Sequence, residues 1–423
     1  MEQFVICGGE PLNGDVAISG MKNSALPILF GTILTKGICT IDNLPDISDV
    51  KDSLAILESV GAQVRFISPH KIIINTSEVT PKSPPLELVS KIRASYYLLG
   101  AMLGKFNKAQ VGQPGGCDFG NGRPIDQHIR GFELLGARVS YESNAAITLN
   151  APNGLKGSSV YFDIASVGST INIMYAAVFA EGVTVIENAA REPHIVDTAC
   201  FLNACGANIM GAGTTTIRIK GVKELKGCNY SIAPDMIEAG TYMVAGAITK
   251  GRVRVTNIVP KHMEAITAKL IEANVPIEIG DSYITVNPAT NLRSASIKAN
   301  PYPGLPTDMQ PQFSALMTVA QGMCKVSDGI YSTRFKYIEH LKNMGANIVY
   351  DEKQSQLHII GVSELRGATV RVPDLRAGAA LILAGLAAKG TTTVTNIELV
   401  ERGYDHIIEK LRALGANIKR VKI

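Results

Sequence analysis

Seven cysteines occur in 423 residues, with no Cys-x-x-Cys pair among them. An odd number at positions 7, 39, 117, 200, 205, 228 and 324 excludes a fully paired disulfide framework and lacks the spacing of a zinc module, so a reducing compartment is expected. Long apolar runs are also missing. Polar residues interrupt every hydrophobic stretch before it reaches membrane-spanning length, and Met1-Glu2-Gln3-Phe4-Val5 does not open a basic segment leading to an apolar run and cleavage site. The expectation is a cytoplasmic protein without membrane insertion. No basic block is interleaved with aromatics, and a formal charge of +4 over this length does not describe a nucleic-acid surface. There is no Gly-x-x-x-x-Gly-Lys-Ser/Thr loop, no dinucleotide fingerprint after a strand, and no His-x-x-x-His pair among the seven histidines. Neither a cofactor nor a metal is expected.

What the chain does have is repetition. Leu-x-x-x-Gly-Ala-x-Val/Ile recurs at Leu57 to Val64, Leu202 to Ile209, Leu341 to Ile348 and Leu411 to Ile418, and at Phe132 to Val139 with phenylalanine leading. A sixth copy, Leu270 to Ile277, carries Asn274 in the glycine slot. A second element accompanies the phrase: an apolar helical run, then glycine, then a β-branched strand, with glycines at 37, 182, 251, 322 and 390 and a less regular copy over residues 92 to 111. The glycine is expected to cap each helix with positive φ. Six units of about 70 residues with two helices and several short strands imply α+β modules, three per domain. The inner helices are unusually apolar, as in Leu381-Ile382-Leu383-Ala384-Gly385-Leu386-Ala387-Ala388, and are expected to be enclosed by sheets.

Chemistry-bearing residues cluster where the repeats differ. Cys117 lies in Pro114-Gly115-Gly116-Cys117, just ahead of Gly122-Arg123-Pro124-Ile125-Asp126. A thiol in a glycine-rich segment near a guanidinium is a candidate proton donor or nucleophile, because the cation favours the thiolate. Lys22-Asn23, Ser166-Val167-Gly168, Asp235, Asp308 and Asp374-Leu375-Arg376 stand at the entrances of the apolar helices. A carboxylate there serves either as an N-cap or as a ligand contact. Asp308 follows the proline-rich lead Pro301-Tyr302-Pro303-Gly304-Leu305-Pro306-Thr307, which would fix it for taking a proton from a hydroxyl. Lys22, Arg93, Arg123, Arg334, Arg376 and Arg402 are the basic candidates; if they converge, the ligand carries more than one anionic group. His128 is either catalytic or a helix-face residue.

The segments Gly20-Met21-Lys22-Asn23-Ser24-Ala25-Leu26-Pro27, Pro114 to Cys117, Gly122 to Asp126, Glu187-Asn188-Ala189-Ala190-Arg191-Glu192-Pro193, Pro306-Thr307-Asp308-Met309-Gln310 and Glu401-Arg402-Gly403-Tyr404 closely resemble the UDP-N-acetylglucosamine enolpyruvyl transferases of peptidoglycan synthesis. The resemblance runs through the whole chain. It implies an α+β fold of two inverse α/β barrel domains, each of three βαβαββ repeats, spanning residues 22–229 and 230–423, the latter completed by residues 1–21. It implies transfer of the enolpyruvyl group of phosphoenolpyruvate to the 3'-hydroxyl of UDP-N-acetylglucosamine with release of phosphate, in a cleft between the domains. By the same resemblance Cys117 is associated with protonation of the phosphoenolpyruvate methylene and is the target of thiol-directed epoxides such as fosfomycin. Asp308 is the base at the sugar hydroxyl, and Lys22, Arg123 and Arg402 hold the phosphate. Asn23, Arg93, Arg123, Pro124, Ile125, Asp126, Ser166, Val167, Gly168, Asp235, Ile330, Arg334, Asp374 and Arg376 contact the substrates. The stretch between Cys117 and Arg123 is one residue longer than is usual in the family, Ser332 stands where an acidic residue is common, and Ile164 where a basic one is. Two alternatives accompany this reading: the sister transferase acting on shikimate 3-phosphate, and a non-catalytic paralogue that binds UDP-sugar and regulates wall synthesis. Protein partners are not implied.

Overall fold

A computed structural model describes residues 2–115, 124–142 and 146–422. The chain divides into two compact units, one drawing on Met1–Ser19 and Pro234–Ile423, the other on Gly20–Asp118 and Gly122–Ala233.

The recurring Leu-x-x-x-Gly-Ala phrase is a helix stop. In each copy the alanine N–H returns to the carbonyl of the leading residue: Ala62 to Leu57 at 3.0 Å, Ala137 to Phe132 at 3.0 Å, Ala207 to Leu202 at 3.0 Å, Ala346 to Leu341 at 3.0 Å and Ala416 to Leu411 at 2.9 Å. That bond closes only if the residue between is left-handed, and the five glycines have φ from +89° to +115°. Asn274 takes the same conformation at φ +62°, and Val275 closes the bond to Leu270 at 2.9 Å. Asparagine tolerates this region better than other side-chain-bearing residues, so the sixth copy keeps the geometry without glycine.

The other glycine series does something different from what its position implies. The helices Lys22–Gly31, Val167–Ala177, Gln310–Met317 and Leu375–Ala387 end several residues before Gly37, Gly182, Gly322 and Gly390. Those glycines have positive φ, but they turn the chain into the next strand rather than cap the helix. Left-handed residues at a helix end occur instead at Asn107, the C-cap of Tyr97–Phe106, and at Lys250, two residues after Met236–Ile248.

Each unit centres on three apolar helices. In the unit containing the C-terminus, Met236–Ile248, Gln310–Met317 and Leu375–Ala387 pack pairwise on one another. Every residue of Met236–Ile248 is buried, which explains why these helices have no polar face. Three four-stranded sheets surround them, ordered 369–371/390–395/2–8/417–422, 277–279/283–286/252–256/13–17 and 297–299/323–328/356–360/347–351. In all three, one end strand pairs parallel with its neighbour and the other pairings are antiparallel. The other unit has the helices Lys22–Gly31, Tyr97–Phe106 and Val167–Ala177, with sheets of four, three and four strands and a two-stranded pair joining 225–226 to 35–36.

The α+β class and the repeated βαβαββ units agree with the sequence, but the barrel does not. Among the described residues no sheet closes: each has two different end strands bonded on one side only, such as 369–371 and 417–422. A barrel requires a continuous hydrogen-bonded ring. Here separate sheets alternate inward and outward residues, as in the exposed-buried pattern of Thr216–Lys220, and meet the helices through side chains. No helix among the described residues is long and apolar enough to cross a membrane.

Candidate active site

Asp308 sits in the turn Thr307–Met309, which leads into Gln310–Met317. Arg334 Nη1 donates to its Oδ1 at 2.9 Å, while Arg376 donates to Oδ2 through Nε at 3.1 Å and reaches it through Nη2 at 3.0 Å. The arginine side chains are 4% and 2% exposed and that of Asp308 is 26% exposed, so the pair is sealed and the carboxylate still opens outward. Burial pushes the Asp308 carboxyl upward, but Arg376 and then Arg334 outweigh it and hold the group well below the usual carboxylate range. For both arginines burial works against the charge, and Asp308 more than compensates.

Arg376 is also held from below. Its guanidinium carbon lies 5.2 Å from the centre of the Tyr404 ring, and Tyr404 Oη lies 2.9 Å from Thr241 Oγ1 and accepts from Gln312 Nε2 at 3.1 Å. Arg376 Nη1 is buried and has no hydrogen-bond partner among the described residues. Asp374 caps Leu375–Ala387 by accepting from the N–H groups of Arg376 and Ala377 at 3.0 and 3.1 Å, and Arg334 Nη2 lies 3.9 Å from the same oxygen. Asp235 caps Met236–Ile248 through Ile237 and Glu238 at 2.7 and 3.2 Å, and its charge contributes to the raised pKa of Arg376. Arg402 is half-buried in the turn just before Tyr404. Ile330 is partly exposed; its N–H donates to Asp328 Oδ1 at 2.8 Å, and Thr307 donates to Oδ2 of that carboxylate at 2.5 Å while accepting from Arg334 at 3.1 Å.

The other unit presents a second group. Lys22, the first residue of Lys22–Gly31, is 8% exposed and its ammonium lies 2.7 Å from Asp49. Asn23 follows it, half-buried. Gly20 approaches Asn43 so closely that a Cβ would meet its carbonyl oxygen at 1.7 Å, so the approach to Lys22 demands glycine. Arg93 stacks on Tyr96 with 5.1 Å between guanidinium carbon and ring centre, and the Tyr96 ring lies 6.2 Å from that of His128. His128 Nδ1 is 3.0 Å from Ser169 Oγ, which donates to Ser166 Oγ at 3.0 Å; Ser166 Oγ also accepts from the Ser169 N–H as the cap of Val167–Ala177. Burial, helped by Arg93, lowers the His128 pKa to about 3. The imidazole is therefore neutral at physiological pH and acts here as a buried support for the helix entrance rather than a proton shuttle. Gly168 belongs to the same contact, because a Cβ there would stand 2.8 Å from His128 Nε2. Val167 begins the helix, and Pro124, Ile125 and Asp126 lead into Asp126–Leu134, with Pro124 and Asp126 exposed.

Thus Asp308, Arg334, Arg376 and Asp374 form one direct cluster with Asp235 beside it, while Lys22, Arg93 and the Ser166–Gly168 entrance belong to the other unit. Cys117 and Arg123 lie outside the described residues. Sequence reasoning missed Asp49, which resembles an ordinary acidic residue in a helix's first turn, and Asp328, which sits at the end of a strand. A cavity of about 380 Å³ lined by Leu34, Lys36, Lys105, Glu181 and Glu224 contains none of the candidates.

The family model of EPSP synthase (3-phosphoshikimate 1-carboxyvinyltransferase) matches residues 6–411. A UDP-N-acetylglucosamine 1-carboxyvinyltransferase from Clostridium botulinum is 51% identical, covering 100% of both chains. The enolpyruvyl transferase NikO from Streptomyces tendae superposes with a TM-score of 0.90 at 24% identity, covering 100% of this chain and 99% of that one. An EPSP synthase from Acinetobacter baumannii gives 0.77 at 18%, covering 100% of both. The last two likenesses establish the fold. With half its residues shared from end to end with the first, the chain belongs to the UDP-N-acetylglucosamine 1-carboxyvinyltransferases within the wider EPSP synthase family.

Proposed function

We propose that the protein transfers the enolpyruvyl group of phosphoenolpyruvate to the 3'-hydroxyl of UDP-N-acetylglucosamine, releasing phosphate, as a cytoplasmic step of peptidoglycan synthesis. The observation that carries the chemistry is the Asp308–Arg334–Arg376 cluster: a carboxylate kept ionised beside a buried guanidinium nitrogen, Arg376 Nη1, that has no acceptor among the described residues. Buried donors are rarely left unmatched, and a guanidinium suits carboxylate or phosphate oxygens. Phosphoenolpyruvate carries both.

In this reading the methylene carbon gains a proton while the sugar oxygen attacks the adjacent carbon. The resulting tetrahedral ketal then loses phosphate and a methyl proton, restoring the double bond. Cys117 supplies the first proton. Asp308 takes the proton that the attacking hydroxyl gives up as its oxygen bonds to carbon. Because the arginines depress its pKa, its basicity depends on anionic substrate drawing positive charge away from it. Lys22, Arg123 and Arg402 bind phosphate; Arg93, Arg334, Asp374, Arg376 and Ile330 complete the contacts. Asn23, Pro124 to Asp126, Ser166 to Gly168 and Asp235 hold the nucleotide sugar.

The test is phosphate release from phosphoenolpyruvate with UDP-N-acetylglucosamine, with shikimate 3-phosphate, or with neither. Release that requires the nucleotide sugar and falls at least about a hundredfold in Asp308→Ala is expected. Release with shikimate 3-phosphate alone would overturn the acceptor assignment. Nucleotide-sugar binding without any release would leave a regulatory paralogue.

A further inference from the structure

Cys39, Cys205 and Cys228 are distant in sequence, yet their sulfurs all lie within 4.8 Å of one another. Cys39 lies in the strand Ile38–Asp42, Cys205 follows the helix Pro193–Ala204, and Cys228 precedes the strand Asn229–Ser231. Backbone hydrogen bonds fix the arrangement: Thr40 N–H donates to the Cys228 carbonyl at 2.9 Å, and Lys226 N–H donates to the Cys205 carbonyl at 2.8 Å. The Cys205 and Cys228 sulfurs are 3.3 Å apart, and Thr35 Oγ1 is 3.5 Å from Cys39 Sγ. We propose that these three cysteines form a thiolate site for a single thiophilic d10 cation, Zn2+ being the representative probe, distinct from the substrate residues.

The spacing suits such an ion. Zn–S bonds of about 2.3 Å place tetrahedral sulfur ligands roughly 3.8 Å apart, within the limits set by the 3.3 Å contact and the 4.8 Å bound. Three sulfurs leave a fourth position for water. Cys39 and Cys205 are buried and Cys228 is half-buried, so the ion's approach is from the Cys228 side. Three thiolates around a divalent ion carry one net negative charge. A cation stands nearby to offset it: Lys105, whose ammonium donates to the Thr35 carbonyl at 2.7 Å. Cytoplasmic thiols remain reduced and able to bind. The bound ion would join the first strands of the unit to its last ones, so binding is coupled to stability.

Full-length protein, reduced and stripped with chelator, is titrated with Zn2+ against a chromophoric competitor, and with Co2+ while thiolate-to-metal charge transfer is followed in the near ultraviolet. About one ion per chain, an intense charge-transfer band and a higher melting temperature are expected. Cys39→Ser, Cys205→Ser and Cys228→Ser should each weaken Zn2+ binding at least about tenfold, while Cys117→Ser, Cys200→Ser and Cys324→Ser retain it. Circular dichroism of the metal-free variants separates lost ligation from lost folding, and the half-buried Cys228 supplies the variant least disruptive to the core. Absence of the band, equal losses in the control variants, or binding that depends on Cys117 would overturn the site. So would a Cys205–Cys228 disulfide, lighter by two hydrogens, persisting under reduction while Zn2+ fails to bind.

Discussion

At the scale of single residues, Asp308 bonds two buried arginines and is the carboxylate of the proposed reaction. Removing its charge leaves two buried guanidinia facing each other, whereas its partial exposure moderates the cost. Asp308→Asn is expected to destabilise the protein by about 1–3 kcal/mol at neutral pH, measured by urea unfolding. The sign with pH follows from the depressed carboxyl. Its stabilisation is present above the unfolded-state pKa of about 3.9 and is lost as pH falls from there toward the lower folded value. The gap between wild type and Asp308→Asn should therefore be constant near neutrality and shrink below about pH 4; a gap that widens on acidification would contradict the clamp. Asp235 and Asp374 are separate cases: local sequence left capping and ligand contact open, and the structure shows both residues capping. Asp235→Ala is expected to cost about 1 kcal/mol from the cap alone. Prolines mark the Asp308 segment, and Arg334 and Arg376 stand among the basic candidates, but nothing in the sequence says that both bond to Asp308. Residues 26 and 68 positions away come together only through the packing of three elements.

At the scale of elements, the helix stops were readable because their backbone geometry is chemically selective. A left-handed residue between a buried leucine and a returning alanine leaves a glycine in sequence, and the asparagine exception obeys the same constraint. Asn274→Gly should be near neutral, losing only the side-chain bond to the Asn291 carbonyl, 2.8 Å away. Asn274→Val forces a β-branched side chain into that conformation and should cost more than about 1 kcal/mol; similar melting temperatures for the two variants would refute the helix-stop account. The second glycine series was misread as caps because positive φ serves turns as well as helix ends, and sequence does not distinguish them. The barrel expectation failed at the same scale. Alternating strand patterns show which face is buried, but not whether the last strand of one sheet bonds to the first strand of the next.

At the scale of the molecule, the repeats announce six modules but conceal how the ends of the chain are used. Strand 2–8 lies inside its sheet, paired with 390–395 on one side and 417–422 on the other, and strand 13–17 pairs with 252–256. Phe4 and Ile6 are fully buried. No local pattern around Phe4 names partners nearly 400 residues away, because pairing is decided by which exposed ladder the folded core leaves waiting. The consequence is asymmetric. Residues 20–233 contain every strand of their own unit, whereas residues 234–423 lack the centre of one sheet and the edge of another. We therefore expect 20–233, expressed alone, to unfold cooperatively in urea by far- and near-ultraviolet circular dichroism. Residues 234–423 alone should lose near-ultraviolet structure and expose apolar surface to a fluorescent dye. Joining residues 1–19 to their C-terminus through a flexible linker should restore cooperative unfolding, since the missing strand would then be supplied at high effective concentration. A cooperative 234–423 fragment without that addition would show that the first strand adds to a completed core, and the N-terminal ladder would then be an accessory to this fold rather than a requirement for it.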